Sequence, residues 1–151
     1  MAAGTALNAW TADFINTIIP AINTALAYWS KRNSTTSLER VTNDKYEKGS
    51  RNAKPKFISV PFTFDQKYAT TLLNSAVDSA ASARVKLVNL LSIPEINPAT
   101  ANGLLSSFDK AFQPLADFQK NTNLPVPNSV GQALFDWYLK NLRSILISLG
   151  V

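Results

Sequence analysis

The sequence predicts an all-α protein: a C-terminal antiparallel bundle of three to four helices behind an N-terminal helical, basic arm. Three observations lead there. Apolar residues recur at three- and four-residue intervals over most of the chain, the period of an amphipathic helix. Helix start signals stand in front of these stretches, and prolines or glycine close them. A single short run, residues 56–62, reads as a strand, too little for a sheet of its own.

The first element is the stripe Leu7, Trp10, Phe14, Ile18, Ile22, Leu26 and Trp29, with Asp13 off it. Pro20 has no N–H to donate, so it either kinks this element or opens a second helix. From Lys31 the chain turns polar. Asn33 to Ser37 read as a loop, and a short helix is expected from about Ser37 to Lys48. Thr63 and Gln66 suggest a capping box, with Asp65 in the first turn. Phe64, Tyr68, Leu72, Ala76, Ala80, Ala83, Leu87 and Leu91 then hold helical spacing, and the alanines would let a neighbour approach closely. Asn97-Pro98 is an N-cap followed by Pro at the first helical position. Behind it come Leu104, Leu105, Phe108, Ala111, Phe112, Leu115 and Phe118, with a bend expected at Pro114. The stiff connector Leu124-Pro125-Val126-Pro127 leads to a capping pair, Ser129 and Gln132. The last stripe is Leu134, Phe135, Tyr138, Leu142, Ile145, Leu146 and Leu149. The expected division is an arm over residues 1–60 and a helical bundle over 61–151.

Composition narrows the chemistry. With 46% hydrophobic residues the chain can build a core, so uniform disorder is disfavoured. It has no Cys and no His, which removes disulfides, thiol nucleophiles, His-based triads and nearly every common zinc or non-haem iron site. The carboxylates are scattered, and no glycine-rich phosphate loop or nucleophile elbow is present. No enzyme, catalytic residue, metal or cofactor is expected. The start of the chain lacks the basic n-region of an export signal, and no stretch is apolar enough to cross a membrane.

The charge is the strongest functional signal. The net charge of the chain is +5, and residues 31–56 alone carry it: Lys31, Arg32, Arg40, Lys45, Lys48, Arg51, Lys54 and Lys56 stand against Glu39, Asp44 and Glu47. Residues on either side are balanced to within one charge. Such a segment suits sequence-independent contact with the phosphates of a nucleic acid, because cations need no base geometry for that. An acidic protein, an anionic membrane surface or plain solvation are the alternatives. The aromatic and aliphatic face formed by Trp10, Phe14, Ile18, Ile22, Leu26 and Trp29 is assigned to contacts between subunits. Burial in the chain's own core and contact with lipid are the other readings of that face.

The order of these parts resembles the major coat proteins of filamentous, double-stranded-DNA viruses of archaea. What it shares with them is the size, the helical N-terminal arm with cations, the run Pro55-Lys56-Phe57-Ile58-Ser59-Val60 before a helix, and the helical C-terminal part. The resemblance implies a virion protein that polymerises into a helical filament around double-stranded DNA. The eight cations named above would contact the DNA. It further implies packing with copies of itself or with a related second coat protein, and contact with a lipid envelope where one exists.

Overall fold

The computed structural model describes residues 2–41 and 56–150. They form a helix-rich fold with an N-terminal helical segment and a distinct C-terminal helix cluster. The N-terminal segment is continuous: α1 (Ala2–Asp13), a π-helical turn (Phe14–Ile18) and α2 (Ile19–Trp29). Two strands follow, β1 (Thr36–Val41) and β2 (Lys56–Pro61). The cluster consists of α3 (Gln66–Leu91), α4 (Pro98–Lys120), α5 (Val130–Trp137), a second π-helical turn (Tyr138–Leu142) and α6 (Arg143–Ser148).

Of the two expected outcomes, Pro20 opens a second α-helical stretch within the continuous N-terminal segment. It sits in the first turn of α2 directly behind the π turn, where the Ile19 N–H reaches back to the Phe14 carbonyl. This looser turn accommodates a proline that cannot bond one turn back. It also serves the stripe. Apolar residues spaced by four drift about 40° round an α-helix at every step. A π turn rotates less per residue, so Phe14, Ile18 and Ile22 stay in line.

Two of the three expected caps form as sequence signals suggest, one of them displaced. Asp65, rather than Thr63, caps α3, its carboxylate accepting the Tyr68 N–H at 3.0 Å. The Asn97 side chain accepts the Ala99 N–H at 2.8 Å ahead of Pro98. Ser129 precedes α5 without a side-chain cap bond, and Gln132 donates instead to Asp136 at 3.0 Å. Pro114 lies inside α4. The stripe of α3 is displaced too: Ala69 and Leu73 are buried at its start, while Tyr68 is half exposed.

The largest departure concerns the N-terminal stripe. Trp10, Phe14, Ile18, Ile22, Leu26 and Trp29 are all buried, and they belong to one cluster with Leu73, Leu87, Phe108, Phe118, Leu134 and Leu142. The expected subunit-contact face is therefore corrected to an intramolecular one. Contacts that drive such a helix onto a partner are satisfied here by its own chain. The boundary expected at residue 60 accordingly does not separate two cores.

Three indoles order this core. Trp10 Nε1 donates to the Ala83 carbonyl at 2.8 Å, Trp29 Nε1 to Ala69 at 2.9 Å and Trp137 Nε1 to Leu104 at 2.9 Å. Because residue 10 meets 83 while 29 meets 69, the first helix runs opposite to α3. Ion pairing of Arg84 with Asp109 and the Gln119–Asn74 hydrogen bond show the same reversal between α3 and α4. Around the middle, Trp137 packs edge-on against Phe14 and Phe108, at 5.6 and 5.0 Å between ring centroids. Trp137 belongs to no stripe read from the sequence. In α5 Gly131 lets Asn23 approach, since a Cβ there would stand 2.0 Å from the Asn23 side-chain oxygen Oδ1.

Two stability outcomes follow from the shared core. Phe14→Ala should lower the unfolding free energy by about 3–5 kcal/mol in urea titrations, the range for a buried aromatic truncated to alanine. Deleting residues 1–30 should abolish the cooperative thermal transition seen by circular dichroism. A truncated chain that melts like the intact one would show that the C-terminal helices have a core of their own.

Candidate nucleic-acid interface

The segment that carries the charge excess leaves the bundle as a two-stranded antiparallel ribbon. Thr36 pairs with Pro61, Leu38 with Ser59 and Arg40 with Phe57. The ladder continues one step towards the bundle through the Phe62 N–H and the Thr35 carbonyl, at 2.9 Å. Six residues of strand reach about 20 Å. The helix expected from Ser37 is thus replaced by β1 over its described part. A strand candidate without a local partner gains one from residues earlier in the chain, whose β-branched ends (Thr36, Val41) suit a ribbon.

Facing residues of an antiparallel pair lie on the same side of it. Leu38 and Phe57 therefore share one face, Ile58 and Val60 the other. Leu38 is 72% exposed, Phe57 57% and Ile58 42%. The described residues leave Leu38 and Phe57 largely uncovered on one face, while on the other Ile58 is partly exposed and Val60 is half-buried.

Its base is fixed. Tyr28 packs against Phe62, Phe64 and Tyr68, with ring centroids 6.1, 5.1 and 5.0 Å away, and its hydroxyl accepts the Asp65 N–H at 2.9 Å. Lys31 is exposed, with its Nζ 5.8 Å from the centroid of Phe62. Arg32, another of the cations expected to contact phosphate, has protein partners for its side chain. Its guanidinium donates to the carbonyls of Thr122 and Leu124, the latter at 3.0 Å, and lies 5.9 Å from the Phe118 ring centroid.

Of the other expected cations, Arg40 and Lys56 hold backbone positions in β1 and β2. Lys45, Lys48, Arg51 and Lys54 lie outside the described residues. The structure therefore brings Lys31, Arg40 and Lys56 onto or beside one ribbon and draws Arg32 into the bundle.

The concave surfaces carry little converging chemistry. A cleft of about 330 Å³ where α3 meets α4 is aliphatic, lined by Val88, Leu91, Ile93, Ile96, Ala101 and Leu105 among others. A polar one of about 370 Å³ lies beside Arg32, with Asn33, Gln66, Thr122 and Asn123. No group of three or more metal-ligating side chains converges among the described residues. None of their helices is long and apolar enough to cross a membrane. Comparison with known protein families, curated proteins and solved structures finds no match to the chain.

Arg84 and Asp109 form a two-pronged ion pair at 2.6 and 2.7 Å on the outside of α3 and α4. The hydrogen bond to Asp109 holds the Arg84 guanidinium above its ordinary pKa; burial opposes this and the opposite charge adds to it. A raised pKa stabilises the fold fully below the unfolded value and loses its effect only as pH rises through the folded one. Both values are strongly alkaline, so Arg84 should leave stability flat with pH near neutrality. With the two side chains 36% and 50% exposed, solvent screening keeps the pair weak. A double-mutant cycle should give a coupling of about 0.2–1 kcal/mol that shrinks as salt is added.

Proposed function

We propose that the protein is a non-catalytic structural subunit: a four-helix bundle with successive helices antiparallel, carrying an arm that holds double-stranded DNA through sequence-independent phosphate contacts. Copies of it pack into a helical filament, as the resemblance to coat proteins of filamentous archaeal viruses implies, and the virion is then its location. The observation that carries this reading is the segregation of charge. The whole excess of +5 lies in residues 31–56, and the strands at either end of that segment form a ribbon attached to the bundle at its base. The rest of the chain is electrically balanced. A separated cationic arm suits a uniform polyanion, which offers charge along its length and asks for no specific geometry.

The ribbon takes the place that the resemblance gave to a helical arm, since the N-terminal helix is used in the core. Its two apolar faces support packing between copies. A flat membrane surface covers one face of a ribbon, whereas neighbouring subunits in a filament cover both. Lipid contact through the N-terminal stripe loses its basis, because that stripe is already buried.

Filter binding with duplex DNA over a salt series tests the reading. Affinity should fall steeply with salt and be alike for random and defined sequences. Changing Lys45, Lys48, Arg51 and Lys54 together to Gln should weaken binding. It should also flatten the plot of log affinity against log salt by about 0.9 for each phosphate that the variant no longer neutralises. Absence of binding at low salt, with electron microscopy showing no filaments, would leave an acidic protein as the partner.

A further inference from the structure

We propose that Arg32 is a positioning residue that fixes the direction in which the β1–β2 ribbon leaves the bundle, and that it does not contact phosphate. The assignment of a phosphate-binding arm rests on the function proposed above; the clasp itself rests on geometry. Arg32 stands in the turn after α2, four residues before β1 begins. Its side chain crosses to the connector between α4 and α5 and donates to two carbonyls there, Thr122 and Leu124, with its Cζ 5.9 Å from the Phe118 ring centroid. The two carbonyls are met by two different nitrogens of one planar group, held at a fixed spacing, whereas an ammonium gathers its three donors on a single atom.

The acceptors are well placed to serve as an anchor. They follow the C-terminal end of α4, where helix carbonyls favour a cation. The next residues, Leu124-Pro125-Val126-Pro127, are stiffened by two fixed φ angles. Ser30 adds a second tie to the same connector, its hydroxyl donating to the Asn128 side chain at 2.8 Å. On the β2 side the ribbon is held independently by Phe62 against Tyr28, and by the Asp65 N–H on the Tyr28 hydroxyl. Each strand thus has its own attachment, and Arg32 is the main one for β1. Its charge serves to orient the arm, and the cations left for phosphate are those farther along it.

Hydrogen exchange and DNA titration of the full chain separate this role from a phosphate contact. Arg32→Lys keeps the charge and removes the fork; Arg32→Ala removes both. Both variants should raise amide exchange in residues 36–41 and 121–124 by about tenfold or more, the scale of losing hydrogen bonds from a charged donor. Exchange in α3 should stay as in the parent, which shows that the bundle is folded. In the same proteins Arg32→Ala should leave the salt slope of duplex binding unchanged, whereas Lys54→Gln lowers it by about 0.9. Parent-like exchange at the ribbon in Arg32→Lys would overturn the positioning role, and so would a salt slope lowered by Arg32→Ala. If the parent protein binds no DNA at low salt, the nucleic-acid reading fails, and the exchange result alone decides for or against the clasp.

Discussion

Everything else in this structure depends on the burial of one apolar stripe, from Leu7 to Trp29, against the C-terminal helices. The stripe carries two indoles, and an indole N–H inside a core must find an acceptor. Backbone carbonyls of Ala69 and Ala83 provide them for Trp29 and Trp10. Those acceptors are reachable because α3 presents small residues, Ala69, Ala76, Ala80 and Ala83, along its buried side. Close approach and the hydrogen bonds therefore come from the same choice of residue. They also fix the direction of the first helix relative to α3, since two bonds 19 residues apart leave one orientation.

That burial decides what is left for function. Once the first helix is used internally, the polar segment behind it must leave from the end where Trp29, Phe64 and Phe118 meet. It leaves as a ribbon because residues 56–61 supply a strand that pairs with 36–41. A two-stranded ribbon is marginal alone in water, and here the contacts at its base support it. Among the described residues, the ribbon leaves Leu38, Phe57 and Ile58 exposed, and the segment it belongs to carries the charge excess. The proposed role in DNA packaging and subunit packing gives both features a partner.

The two π-helical turns belong to the same account. One begins at Phe14 and the other directly follows Trp137, and these two rings are in contact at the middle of the core. Each turn resets the facing of a long helix where large rings must be admitted. Pro20 favours the first of them, because the hydrogen bond it could not make is already absent.

How much of this was legible follows from the range of each interaction. The sequence by itself determined the helices that carry apolar stripes, their caps at Asn97 and near Asp65, the stripe Leu7 to Trp29, and the confinement of the charge excess to residues 31–56, though not the strand that stands where a helix from Ser37 was expected. Those are local patterns, set by side-chain spacing and by groups within one turn of each other. Only the tertiary structure decided that the N-terminal stripe faces its own chain, because periodicity marks an apolar face without naming what covers it. The pairing of β1 with β2 was also decided there, since a strand's ladder lies in its partner, 15 or more residues away. Trp137 joins the core through the rings of Trp10, Phe14 and Phe108 and the Leu104 carbonyl, all 29 or more residues away in the chain. Arg32 shows the limit most clearly: in sequence it is one cation among eight, and two carbonyls some 90 residues away make it a clasp.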